Sequence, residues 1–209
     1  MSFSSLAADW QWVRDEDGVR IATRPSRDGI HEVLAETTTT TRLSAFVALL
    51  DDFAANPRWV THSKGVVLLE KPTPTSDLIY TQFDLPWPAH NRDMVTLSTW
   101  SQDRDGVLYL TLEDAGDRVL AQPGFVRMQN VAGQWSLTPL PDGRVRIRYQ
   151  GHADPAGQLP HWLVNEMTTK ATFETFVKMR RLLDKGKYQD SSYPFVREPQ
   201  ATRTRAERR

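Results

Sequence analysis

The chain has no cysteine in its 209 residues. Disulfides, thiolate metal sites and a cysteine nucleophile are therefore excluded. It also lacks net charge, with 26 Lys and Arg against 26 Asp and Glu. That balance removes any global electrostatic case for nucleic acid or an anionic membrane as a standing partner. No apolar run approaches the ~20 residues needed to cross a bilayer. The stretch from Met1 to Trp10 carries neither the basic nor the apolar region of a secretion signal. A soluble cytoplasmic protein is the expectation. Equally missing are a Gly-x-Ser-x-Gly elbow, a phosphate-binding loop and a dinucleotide fingerprint. The histidines are His31, His62, His90, His152 and His161, and none has the helical spacing of a zinc site. No catalytic residue, metal or cofactor is expected on these grounds, although His152 lies close to Asp154. There is no internal repeat.

Aromatic residues are plentiful: seven Trp, eight Phe and five Tyr, enough for one large core. Trp10–Val13 and Val19–Thr23 read as strands joined by a Gly turn, and Ile30–Thr41 continues in β fashion. Ser44 is placed to cap a short helix over 45–51 that ends before Asn56-Pro57. Ser4–Trp10 could form another, and Trp59 reads as a core anchor. Strands follow at Gly65–Leu69, Asp77–Leu85, Asp93–Ser101, Val107–Glu113, Val126–Leu137 and Arg144–Gly151. Their connections carry Gly, Pro or Asp, the residues that favour tight turns. Val145, Ile147 and Tyr149 alternate with arginines, so the sheet has one apolar face to cover.

The obvious cover begins at Asp154-Pro155-Ala156-Gly157-Gln158-Leu159-Pro160-His161-Trp162-Leu163-Val164-Asn165. Pro160 suits a first helical turn, and neither Pro nor Gly recurs until Gly186. That predicts a helix of about 25 residues, roughly 38 Å long. Glu166, Lys170, Glu174, Lys178 and Arg181 form its charged stripe. The opposite face is bulky toward the end, with Phe176, Met179, Leu182 and Leu183. Toward the start it is small and hydroxylated, with Thr168, Thr172 and Thr175. Such a face either covers a cavity or takes a closely packed neighbour, and helix pattern alone favours close packing.

Two motifs change that reading. Leu85-Pro86-Trp87-Pro88-Ala89-His90-Asn91-Arg92-Asp93 precedes a strand, and Asp154–Asn165 opens the last helix. Together they resemble the START (StAR-related lipid transfer) domain family over roughly residues 8–187. That family carries a Pro-aromatic-Pro loop leading to Arg-Asp, and an Asp-Pro-Gly-Gly-x-[Ile/Leu]-Pro-x-Trp-Leu-x-Asn segment. Ala156 departs from the second Gly of that pattern. The resemblance implies an α+β helix-grip fold, a curved antiparallel sheet around the long C-terminal helix, enclosing a hydrophobic tunnel. With it, a cavity under the small half of the helix becomes the better reading.

The resemblance further implies a non-catalytic protein that binds, and could transfer, one phospholipid or related lipid, with transient contact at a membrane surface. A cyclase or aromatase of the wider superfamily is the alternative. Candidate ligand contacts are Phe83, Leu85, Trp87, Arg92, Trp162, Asn165, Thr168 and Thr172. Arg92 resembles the arginine that meets phosphate in phosphatidylcholine-carrying members; pairing with Asp93 or another carboxylate is its equal alternative. Trp87 is the gate candidate, since an indole suits a membrane interface. Asn165 faces inward, toward either the turn backbone or the ligand. The arginine of sterol-carrying members is replaced near Ser98. The expected domain spans 1–189, followed by a disordered basic tail over 190–209.

Overall fold

A computed structural model describes residues 9–87 and 89–199. The expected helix at Ser4–Trp10 falls largely outside them. The chain runs β1 (Gln11–Glu16), β2 (Val19–Arg24), β3 (Glu32–Thr39), α1 (Leu43–Asp51), α2 (Asn56–Trp59), β4 (Ser63–Thr73) and β5 (Ser76–Phe83). It continues with β6 (Arg92–Gln102), β7 (Leu108–Asp114), β8 (Val126–Arg127), β9 (Gln129–Pro139), β10 (Val145–Asp154) and α3 (His161–Asp184). The sheet order is β1-β2-β3-β10-β9-β7-β6-β5-β4, antiparallel along this path, with β8 added parallel to the start of β6.

Local chemistry explains the main joints. Asp17 and Gly18 both have positive φ, which a two-residue hairpin turn between β1 and β2 requires. Arg180 of α3 occupies the space that a side chain at Gly18 would need, and its guanidinium donates to the Asp17 carbonyl. The hairpin and the helix therefore lock each other in place. Pro57 sits in the first turn of α2, where its missing N–H costs nothing, so Asn56-Pro57 starts a helical turn instead of only ending one.

The alternation along β10 holds. Val145 and Ile147 are buried while Arg146 and Arg148 face solvent. They join Phe46, Trp135, Leu137, Phe176, Met179 and Leu183 in one core. Trp135 stacks on Phe176 at 5.4 Å between ring centres and meets Phe46 at 5.2 Å. Such pairs add roughly 0.5–1.5 kcal/mol beyond the area they bury.

Two expectations are corrected. Ser44 does not cap α1: the helix starts at Leu43, and no side chain beside it in sequence takes its first N–H groups. The Glu198 carboxylate does so from far along the chain, accepting from Leu43 N at 3.1 Å and Ser44 N at 2.8 Å. A carboxylate there satisfies orphan donors and the positive helix end together. The packed body also extends past 189. Tyr193, Phe195 and Val196 lie against the core, and Phe195 sits 6.2 Å from Trp100. Arg197 N donates to Gln102 Oε1 at 2.8 Å. The segment from 189 to 198 is thus a strap across one end of the molecule; the rest of the expected tail, 200–209, lies outside the described residues.

Candidate functional site

Side chains alternate across a strand, so every second residue of a paired β5 and β6 must face α3. Asp77, Ile79, Thr81 and Phe83 do so on β5, opposite Ser98, Thr96, Met94 and Arg92 on β6. Above them α3 presents Thr168, Ala171, Thr172 and Thr175. Small roof residues cannot reach the sheet. The space between becomes a cavity of about 380 Å³, with walls that are mostly Leu, Val, Ile, Met, Phe and Trp. The second half of α3 meets the sheet directly, because Phe176, Met179 and Leu183 fill the gap.

Five of the eight sequence-derived candidates come together on this wall: Phe83, Leu85, Arg92, Thr168 and Thr172. Trp87 and Trp162 do not; they are 92% and 67% exposed. Asn165 bonds backbone, one of its two expected roles, but on a loop distant in sequence. Its Oδ1 accepts from His31 N at 2.8 Å and its Nδ2 donates to the Gly29 carbonyl at 3.2 Å. Its amide is engaged by the β2–β3 loop, away from the cavity wall. His152, two residues before Asp154, is also off the wall, with Nε2 3.0 Å from Asp28 Oδ2.

Arg92 and Arg127 show two ways of burying a guanidinium. Arg127 grips Asp93 with both arms, Nε to Oδ1 at 2.7 Å and Nη2 to Oδ2 at 3.1 Å. Tyr80 adds its hydroxyl to the same carboxylate at 3.0 Å. The bond to Asp93 raises the Arg127 pKa. Arg92, only 2% exposed, pairs with no carboxylate among the described residues. It donates instead to three carbonyls: Pro155 at 2.7 Å, Ala156 at 3.1 Å, and His90. Burial alone lowers its pKa. Of the two alternatives for Arg92, pairing with Asp93 or another carboxylate is not seen among the described residues: Asp93 belongs to Arg127, and Arg92 fastens the Trp87 loop to the turn before α3.

That turn keeps its shape despite Ala156. Ala156 and Gly157 have φ of 54° and 78°, and Asp154 Oδ1 accepts from Ala156 N at 2.7 Å. A side chain in the left-handed region costs about 1–2 kcal/mol. The Asp154 bond and the Arg92 clasp hold it there.

Other wall residues escaped the sequence reading, Asp51, Asp77 and Tyr149 among them. Asp51 and Asp77 sit at the end of the cavity away from Arg92, and Tyr149 lies at its side. Asp77 was findable: counting inward by twos from Phe83 lands on it. Asp51 was not, because its place depends on how α1 packs. Tyr149 fits against Gly133 and Gly151, which leave room for its ring, and burial pushes its phenol to about 12.

Comparison with known proteins agrees with this geometry. The family model described as START domain matches residues 7–188. The crystal structure of a STAR-related lipid transfer protein from Xanthomonas axonopodis is similar at 30% identity and a TM-score of 0.77, covering 84% of this chain and 98% of that one. Human StAR-related lipid transfer protein 5 shares the fold at 20% identity, with a TM-score of 0.75 over 88% of this chain and 89% of that one. An uncharacterized protein of Pseudomonas aeruginosa is 26% identical over 189 residues, 87% of this chain and 90% of the relative. No helix among the described residues is long and apolar enough to cross a membrane. With sheet, gripping helix and both motifs in place, the chain belongs to the START domain family.

Proposed function

We propose that the protein binds one hydrophobic, lipid-like molecule in this cavity and exchanges it at a membrane surface through the mouth beside Trp87. The observation that carries this reading is the empty-sided half of α3: hydroxylated and small residues roof an apolar space where Leu or Phe would complete a core. At roughly 25 cal/mol per Å² of apolar surface buried, such walls offset extraction of an alkyl chain from a bilayer. A volume of about 380 Å³ is at the small end of ligand sites, which run from ~300 to ~1,000 Å³. That favours a single-chain lipid, with a two-chain phospholipid requiring the first half of α3 to lift. Arg92 spends three of its five N–H groups on carbonyls, leaving donors suited to a phosphate or carboxylate oxygen.

The exposed indoles support exchange. Trp87 belongs to the loop that Arg92 ties to the turn before α3, and Trp162 to the first turn of α3. Leu120, 87% exposed, stands on a segment held by Arg127. The test is organic extraction of the purified protein followed by mass spectrometry, alongside transfer of a labelled single-chain lipid between vesicles. Copurifying lipid and accelerated transfer are expected. Failure of both overturns the reading. An enzymatic use of the same cavity is the second reading, favoured by the carboxyls of Asp51 and Asp77 in the wall. It requires a turnover that Asp77→Asn abolishes without displacing bound ligand.

A further inference from the structure

The ten-stranded sheet ends in two edges that are guarded differently. β1, at one end, is six residues long, and half of it is charged: Arg14, Asp15 and Glu16. Arg14 pairs with Glu16, and Asp15 lies 3.2 Å from Arg20, so charge covers that edge. β4, at the other end, is eleven residues long and, among the described residues, is paired on one side only, to β5. Its centre is the apolar run Val66-Val67-Leu68-Leu69, and the last three are 53%, 40% and 41% exposed. A side chain added at Gly65 would meet no described atom within 4 Å, so the edge faces open space. Irregular register, which usually blunts an edge, is confined to the ends of β4. Pairing with β5 is unbroken from Gly65 to Leu68, and Pro72 lies beyond.

Unpaired backbone groups flanked by apolar side chains are a template for another strand. We propose that the occupant is β4 of a second copy of this chain, paired antiparallel about a two-fold axis through Val67. Homo-oligomers close most often about such an axis, where one surface meets itself. Charge selects the register. With the axis at Val67, Val66 meets the partner's Leu68 and Lys64 meets the partner's Glu70, and symmetry repeats both pairs. Moving the axis to Leu68 sets Lys64 against the partner's Pro72 and Val66 against the partner's Glu70. Moving it to Val66 sets Lys64 against the partner's Leu68. Both charges are available for the first arrangement. Lys71 is taken by Asp77 at 2.6 Å, but neither Lys64 nor Glu70 forms an ion pair among the described residues. Lys64 leans over the Phe125 ring, 5.6 Å from its centre. The pairing does not depend on what the cavity holds, yet it orients the cavity. β4 starts beside Phe83, next to the Trp87 loop, so antiparallel pairing turns the two loops in opposite directions.

Sedimentation equilibrium of the full chain at micromolar concentrations tests this, with hydrogen exchange of the β4 amides followed in parallel. A monomer–dimer equilibrium is expected, and alternate amides from Gly65 to Leu69 should gain protection in the dimer and lose it on dilution. Val67→Lys puts two lysines on the axis and should leave a monomer. Lys64→Glu and Glu70→Lys each bring like charges together at both ends of the pairing and should weaken dimerisation about tenfold or more. Combining the two swaps should restore it. All three side chains are exposed, so the far-ultraviolet circular dichroism of every variant should match the parent. A monomer at every concentration overturns the proposal, including one whose β4 amides are protected throughout, because another segment then covers the edge. A species larger than a dimer overturns it as well. So does a dimer indifferent to the single swaps, or a double swap that restores nothing.

Discussion

The two halves of α3 are one continuous helix with opposite consequences for the sheet beneath. Over the cavity, Val164 to Thr175 places Thr168, Ala171, Thr172 and Thr175 among Val164 and Met167; beyond Phe176, which closes the cavity, Met179 and Leu183 fill the space against the sheet. Backbone geometry is shared, so side-chain volume alone separates a ligand chamber from a core. The first half needs other support as a result. It is held at its start by the Arg92 clasp on the preceding turn and by Asn165 on the β2–β3 loop, and toward its end by buried Phe173 and by Thr175 Oγ1, which accepts from Thr61 N at 3.0 Å. The second half is held along its length by packing, with the stacked Trp135 and Phe176 at the boundary.

Substitutions can break this contrast, and their expected effects are graded. Met179→Ala, at a site with no exposure, should cost about 3–4 kcal/mol in urea unfolding through the cavity it leaves. Arg92→Met should cost about 2–3 kcal/mol, since three carbonyls lose a charged donor. It should also raise amide hydrogen exchange in the first turns of α3 and spare the last ones. Ala156→Gly should stabilise by about 0.5–1 kcal/mol, the strain relieved exceeding the entropy added. Thr172→Leu should change stability by less than about 1 kcal/mol yet abolish lipid retention, because it fills space instead of emptying it. If Thr172→Leu destabilises as strongly as Met179→Ala, the first half is packed core and the contrast fails.

The smallest effect concerns pH. Asp51 is held above its ordinary 3.8, chiefly by burial. The folded state therefore binds this proton more tightly than the unfolded chain, and stability falls as pH rises through the window just above 3.8. Asp51→Asn removes that fall. Its melting temperature should be slightly above that of the parent at neutral pH and converge with it near pH 4, read by circular dichroism.

Much of this was legible in the residues. The strands of the large sheet announced themselves by alternation and turn residues, and α3 by the absence of Pro and Gly between Pro160 and Gly186. The Arg-Asp motif was visible, but its wiring was not. Which arginine meets Asp93 depends on β8 lying parallel to β6, a contact 34 residues distant in sequence. The sequence leaves Asn165 between the backbone of its own turn and a ligand; it bonds backbone, but that of the loop carrying Gly29 and His31. The cap of α1 was sought in the nearest serine and came from Glu198, 154 residues away.

By itself the sequence determined the class of fold, the helix that is gripped, and the change in side-chain size midway along it. Those follow from periodicity and volume, which are properties of neighbours in the chain. Only the tertiary structure decided where the charges go: Arg92 onto carbonyls, Arg127 onto Asp93, Asp51 and Asp77 to the end of the cavity away from Arg92. Ionic and hydrogen-bonding groups act over a few ångströms in space regardless of separation in sequence, so their partners exist only once the sheet has curved around α3.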